Sequence, residues 1–273
     1  MKKLLYALSL ILISIFIANC SEDSHSYTPQ EGAQYFALFR LIPDVYQEQM
    51  YDFIRDNSIK TISIVAKDIE TERKDSLTYL EFDNEGKLIR RTTIECTTLG
   101  CLPYTNKQVY SYKSGRLDRI NQFTFVDNSK SMLYYWNLAD TSKMNLFDWE
   151  DYSYKGDTVF SESAISRWTF VKDSIDNLVY RKLMAKSTKQ IIENEFIYSD
   201  STIQISSKSN SLNENDQKVL SVGDDAIKIS EFNNGKKNLI QHWHMDSKGM
   251  PHTIDTYHNG EQKRIITFVY TYH

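Results

Sequence analysis

The sequence predicts a mainly β protein: an antiparallel sheet of repeated hairpins, open or rolled, behind a short N-terminal helical segment. Three observations carry this reading. From Ile59 onward, apolar residues recur with a period of two, the spacing of strands with one covered face. The runs are short, and turn residues such as Gly, Asn, Asp and Ser punctuate them at even intervals, as in consecutive hairpins. Aromatic residues are plentiful (18 Tyr, 13 Phe, 4 Trp) and Pro is scarce at 4, a composition suited to half-buried pleated surfaces.

The N-terminus reads differently. Lys2 and Lys3 precede an apolar run, Leu4 to Ala18, broken only by Ser9 and Ser14, and Ile17-Ala18-Asn19-Cys20 ends it. This run is too short and too abruptly ended for a spanning helix, and it has the three parts of a secretory signal. Its end resembles a lipobox, with Asn19 in place of the usual Gly or Ala, as in the looser lipoboxes of Bacteroidota. The resemblance implies cleavage of residues 1–19 and lipidation of Cys20. Ser21-Glu22-Asp23 looks like the short acidic tag of Bacteroidota lipoproteins that reach the outer face of the outer membrane. The address implied is the outer membrane, lipid-anchored, either exposed at the cell surface or, with 21–23 as an ordinary tether, facing the periplasm. Residues 20–30 are polar, contain Pro29 and read as a tether.

Cleavage would leave residues 20–273, 254 in all. It would remove two Lys and no acid, so the formal charge of −4 becomes −6. That length suffices for a real core, and residues 31–273 read as one β-rich domain. No block of five basic residues occurs, which argues against a nucleic-acid partner.

Within the domain, residues 31–56 carry the helical signal, with Phe36, Phe39, Val45, Tyr46, Met50, Phe53 and Ile54 at helical spacing. Pro43 splits the stretch and starts a second helix. Hairpins follow over 59–205. Strand-like runs begin after Ile59 and continue at Leu77–Phe82, Leu88–Ile94, Gln108–Tyr112, Leu117–Val126 and Met132–Leu138. They resume at Arg167–Val171, Leu178–Ala185, Glu193–Tyr198 and Thr202–Ser206. Residues 206–225 are polar and read as a long exposed loop. The C-terminal hairpins, 226–273, contain runs at Ala226–Phe232, Asn238–Met245, Thr253–Tyr257 and Arg264–Tyr272.

The turns recur in kind. Phe82-Asp83-Asn84-Glu85-Gly86-Lys87-Leu88 has Asp at the start and Gly three residues later. Met245-Asp246-Ser247-Lys248-Gly249-Met250 repeats it, and Tyr112-Lys113-Ser114-Gly115-Arg116-Leu117 is a shortened form. Asn234-Gly235 and Asn259-Gly260 suit tighter hairpins. A type I turn followed by left-handed Gly makes a three-residue loop, and the Asp carboxylate caps it. The series resembles the YD repeats of RHS-type proteins, and many small Bacteroidota lipoproteins, over residues 77–126 and 227–272. That resemblance implies a β scaffold and no particular activity.

Candidate site residues are few. Cys96 and Cys101 are separated by four residues including Gly100, and outside the cytoplasm they are disulfide candidates that would pin one small loop. Four Asp-Ser/Thr tripeptides, at Asp75, Asp157, Asp173 and Asp200, look like Bacteroidota O-glycosylation sequons. His242 and His244 share a strand face. With a three-residue loop at 247–249, His252 would face His244, and the three imidazoles form a speculative zinc set. The competing reading makes them exposed polar residues backing Trp243 and Met245. No catalytic motif occurs, so neither enzymatic residues nor a cofactor is expected. The function read from these features is a membrane-tethered, non-catalytic binding or scaffold module with a glycan or protein ligand. The alternatives are a lipid or lipoprotein carrier with an apolar half-barrel cavity and, last, a metal-dependent hydrolase.

Overall fold

The computed structural model describes residues 48–72, 74–95, 104–126, 145–174, 177–199, 202–210, 215–222, 226–233 and 236–273. Helix α1 (Glu48–Asp56) precedes β1 (Ile59–Asp68), β2 (Lys74–Phe82), β3 (Leu88–Glu95) and β4 (Tyr104–Lys113). Next come β5 (Arg116–Val126), β6 (Asn145–Lys155), β7 (Thr158–Ser163), β8 (Ser166–Lys172), β9 (Leu178–Ala185) and β10 (Ile191–Ser199). The last six are β11 (Thr202–Ser209), β12 (Asn215–Val222), β13 (Ala226–Asn233), β14 (Lys236–Met245), β15 (Pro251–His258) and β16 (Glu261–Tyr272).

Each of these strands pairs with its neighbours in sequence, and β16 returns to pair with β1. The mainly β, antiparallel hairpin fold read from the sequence is the one found, in its rolled and fully closed form. At the seam, Ile62 lies opposite Tyr270 and Ile64 opposite Phe268. Thr61 and Thr271 share a hydroxyl hydrogen bond of 2.6 Å, and the His273 N–H donates to the Ser58 carbonyl at 2.9 Å. Closure leaves no edge among the described strands on which other chains could pair.

Helix α1 covers the end of the barrel at which β1 begins. Met50, Tyr51, Phe53 and Ile54 are buried while Asp52, Arg55 and Asp56 face out, the i, i+3, i+4 pattern of a helix lying on a core. The same end carries the turns from β2 to β3, β4 to β5 and so on to β14 to β15. It is lined with apolar residues from the ends of the strands: Phe82, Leu88, Leu117, Val159, Leu178, Ile203, Leu220, Ile227 and Met250, all buried. A barrel of this strand number leaves a lumen that its wall alone cannot fill. Here the helix and large side chains such as Trp243, Phe53 and Phe170 fill the helix end.

The inner face changes character toward the opposite end. Gln108 pairs with Gln122, Gln122 with Asp148, and Glu150 with Ser163. Farther round, Arg181 pairs with Asn194, Asn194 with Ser207, and Ser207 with Asp216. The inner wall is therefore apolar at one end and polar at the other. The outer wall carries cross-strand ion pairs, Arg119–Asp151 at 2.5 Å, Arg167–Glu162 at 3.1 Å and Lys182–Glu193 at 2.9 Å. In a lipid-facing wall such cations would cost about 2–4 kcal/mol each near mid-bilayer.

Part of the tyrosine surplus has a repeated structural use. The Tyr112 hydroxyl donates to the Leu88 carbonyl at 2.8 Å and Tyr154 to that of Leu117 at 2.9 Å. Tyr198 donates to Leu178 at 3.0 Å and Tyr270 to Pro251 at 2.7 Å. In each case a tyrosine near the helix end of an even strand ties down the first or second residue of the preceding odd strand. Burial holds the Tyr270 phenol well above its usual pKa, with Asp246 adding to the effect. Burial, then Glu193, raises Tyr180 to about 12. Both phenols are thus favoured neutral in the folded state. Their stabilisation is complete below pH ~10 and is lost above it, as the unfolded chain ionises first. Alkaline denaturation should therefore steepen above pH ~10, and Tyr270→Phe should flatten it in a pH series of melting curves.

The Asp-capped turns form as the sequence pattern requires. Asp83 Oδ1 accepts from the Glu85 and Lys87 N–H groups, both at 2.9 Å. Asp246 Oδ1 accepts from Lys248 at 2.8 Å and Met250 at 2.9 Å. Gly86 and Gly249 are left-handed, as are both Ser114-Gly115 and Asn259-Gly260. Asp246→Ala, which removes both bonds, is expected to cost about 1–2 kcal/mol by urea denaturation; an unchanged midpoint would show that the loop backbone holds itself.

Three expectations differ from the structure or lie beyond it. Residues 206–225 are not a loop separating two sets of hairpins: β11 runs to Ser209, and β12 occupies Asn215–Val222 between β11 and β13. Strands β6 and β7 were also not anticipated. Both failures have one cause. On β12 the inner positions include Asp216 and Lys218, and on β6 Asp148 and Glu150, so polar residues stand where alternation normally places apolar ones. The helical reading is met at Glu48–Asp56; its portion at 31–47, the Pro43 break and the run Met132–Leu138 fall outside the described residues.

Candidate ligand-binding groove

Strand β6 points Asp148, Glu150, Tyr152 and Tyr154 inward, so Trp149, Asp151 and Ser153 point out. Asp148 is 3% exposed. Its Oδ1 accepts from the Trp149 N–H at 2.9 Å and the Ala164 N–H at 3.2 Å. That bond ties β6 to the tight turn between β7 and β8. Tyr152 donates to Glu150 Oε2 at 2.7 Å, and Ser161 donates to the same oxygen at 3.4 Å. The floor beneath Trp149 is thus held by side-chain bonds on the inner face.

Against this floor lies a groove of about 410 Å³, lined by Trp149, Asp151, Tyr152 and Ser153, by Glu162, Ser163 and Ala164, and by Lys186 beyond β9. Trp149 is 41% exposed. Lys186 Nζ donates to the Ser163 carbonyl at 2.5 Å and lies 2.9 Å from Glu162. Arg167 reaches Glu162 from the other side at 3.1 Å. Hydrogen bonds from Lys186, then Arg167, hold the Glu162 carboxyl below its usual pKa. Asp151, paired with Arg119 at 2.5 Å, borders the groove opposite. An indole face between ionised carboxylates and an ammonium group can stack on a ring while its neighbours exchange hydrogen bonds with hydroxyls.

The sequence-derived candidates lie elsewhere. The loop Ser247-Lys248-Gly249 has the three-residue form, with the Asp246 N–H donating to the Met250 carbonyl at 2.9 Å. A bulge follows, so that Met245 faces Pro251 but His244 faces Thr253. His252 is thereby moved out of register with His244. His244 Nε2 instead contacts Asp255 Oδ2 at 2.8 Å, and Gln262 donates to the other oxygen at 2.9 Å. His242 packs on Tyr257, with ring centres 5.2 Å apart. The three imidazoles do not converge, and no group of three or more metal-ligating side chains occurs among the described residues. Trp243 is 0% exposed and Met245 packs on the core, so the histidines are the outer polar face of a core strand. Cys20, Cys96 and Cys101 lie outside the described residues. Of the sequon hydroxyls, Ser174 is exposed in a turn that Asp173 caps through the Asn177 N–H at 2.9 Å, and Thr158 is half-buried in β7.

Sequence reasoning missed the groove because it missed its two strands. Trp149, Asp151 and Ser153 on one face against Asp148, Glu150 and Tyr152 on the other put aromatic and acidic residues on both faces, so no period of two marked the strand.

No protein-family model matches the chain. No curated protein matches it. Among solved structures it is similar to one described as TcdB2-TccC3-Cdc42, at 10% identity and a TM-score of 0.28, over 74% of this chain and 15% of that one. It is also similar to a presumed lipoprotein from Parabacteroides distasonis, at 12% identity and a TM-score of 0.23, over 78% of this chain and 94% of that one. The chain thus spans a small fraction of the first and nearly all of the second. At these scores neither assigns a residue or an activity to this chain.

Proposed function

We propose that this chain is a non-catalytic binding protein of the bacterial cell envelope, lipid-anchored through Cys20, whose barrel carries a glycan site in the β6–β7 groove. The observation behind the site is Trp149, held half-open between Asp151, Glu162 and Lys186. Saccharide recognition combines an aromatic face with a few fixed polar groups, and this groove has both. The anchor reading stands on the signal and lipobox pattern, and the surface address on Ser21-Glu22-Asp23.

A protein ligand is the second reading, favoured by Leu146 and Ile165, which are 54% and 58% exposed near the groove. Against the lipid-carrier alternative stand the closed sheet and the helix and side chains buried along its apolar inner face.

Binding of the purified mature chain to an immobilised panel of bacterial-envelope and other glycans tests the site. Trp149→Ala should lose at least about tenfold in affinity, as removal of a central aromatic anchor does, with an unchanged melting temperature. No glycan binding by the parent, or equal binding by the variant, defeats the reading. Intact mass and detergent partitioning of Cys20→Ala against the parent test the anchor: the variant should lose the acyl mass and leave the membrane fraction.

A further inference from the structure

Arg181 stands on the inner face of β9, opposite Phe170 of β8 and Asn194 of β10. Its Nε–H donates to Asn194 Oδ1 at 2.9 Å, and its guanidinium lies 5.3 Å from the centre of the Trp168 ring. Asn194 is 3% exposed, and its own Nδ2 donates to Ser207 Oγ at 2.5 Å, which fixes the amide. Trp168 is in turn stacked on Phe170, at 5.8 Å and 11°. The guanidinium is thus clamped by an edge and a face, and neither partner is an anion.

The inner-wall Lys218, by contrast, faces Glu231 on the adjacent strand at 2.9 Å. Arg181 has no carboxylate partner among the described residues, and its Nη groups have no acceptor there. Burial draws its pKa down to about 10, so it stays charged at neutral pH with neutral partners, Asn194 and the Trp168 ring. A part-buried charge without a counterion weakens a fold, whereas a planar fork with free Nη groups is suited to bidentate contact with an oxyanion. Solvent reaches this region, since Trp168, Arg181, Leu183, Ile192 and Ser207 are all partly exposed.

We propose that Arg181 is an anion site inside the barrel, taking a carboxylate or a tetrahedral oxyanion on its free Nη groups while Asn194 and Trp168 hold the fork. The site lies on the inner face and is separate from the Trp149 groove, so either can fail without the other.

Melting curves of the mature chain in sulfate, phosphate, acetate, glucuronate or glucose, each against chloride at matched ionic strength, test it. The parent should melt about 5 °C higher at saturating oxyanion than in chloride, and glucose should do nothing. A response to glucuronate alone identifies a sugar acid, and a response to phosphate or sulfate a free oxyanion; either supports the site. Arg181→Met should lose the response and melt near or above the parent in chloride, because the part-buried charge it removes has no counterion to offset the lost bond to Asn194. Arg181→Lys, which keeps charge but not the fork, should respond weakly. The proposal is overturned by an equal anion shift in Arg181→Met, by no anion shift in the parent, or by Arg181→Met melting well below the parent in chloride, which would make the guanidinium a structural strut.

Discussion

Gly86→Ala should destabilise the barrel by about 3 kcal/mol or more, and Gly115→Ala by only about 1. Both glycines have a φ of +80° in turns at the helix end of the barrel, so both substitutions incur the left-handed strain of an L-residue, about 1 kcal/mol. They differ in what a methyl group would meet. At Gly115 nothing lies within 4 Å. At Gly86 a Cβ would sit 2.0 Å from the Tyr51 carbonyl oxygen and 3.0 Å from the Arg55 backbone nitrogen. These are backbone atoms of α1, which cannot rotate aside, so the helix must move. Overpacking of this kind adds about 1–3 kcal/mol, and displacement of α1 would loosen Phe53 and Ile54 from the core. The Tyr51 hydroxyl, which donates to Tyr112 at 3.1 Å, would lose its partner as well. For a domain of this size the difference between the variants amounts to about 4–8 °C in melting temperature. Equal melting temperatures would mean that the helix is not seated on this turn.

That close approach was invisible in the sequence, whereas the turn itself was not. Asp83-Asn84-Glu85-Gly86 announces its own geometry, because the capping carboxylate and the left-handed glycine are local requirements. Likewise Thr253–Tyr257 and Arg264–Tyr272 were legible as strands, since their inner residues Ile254, Ile266 and Phe268 lie in the apolar half of the barrel. Strands whose inner residues reach the polar half were not. Asp148 and Glu150 on β6, and Asp216 and Lys218 on β12, point inward where the alternation rule expects Leu or Val. A closed barrel with a polar interior end removes the hydrophobic period that strand recognition depends on. The candidate groove was lost with β6 and β7 for the same reason. His252 shows a subtler limit: loop length was readable, but the bulge after Met250 that shifts its register has no signature in the spacing of histidines.

Trp243→Ala is the second large effect, at about 3–5 kcal/mol. Trp243 is fully buried on β14, between Ile227 of β13 and Ile254 of β15, themselves 0% exposed. Its ring lies 6.4 Å from that of Phe268 on β16, so it links four strands beside the β1–β16 seam. Truncation opens a cavity that a hydrogen-bonded barrel cannot collapse to fill, because the wall spacing is fixed by the ladders on both sides. Trp243→Phe separates shape from polarity. It keeps an aromatic ring but removes the Nε1–H that donates to Gln241 Oε1 at 3.3 Å, and about 1–2 kcal/mol is expected from the lost volume and the weakened bond. Trp149→Ala, on an exposed ring, should leave the unfolding midpoint within about 0.5 kcal/mol of the parent. Urea unfolding of the three variants gives the order directly. A Trp243→Ala midpoint near that of Trp149→Ala would show that the apolar end of the barrel is not the packed core from which its stability comes.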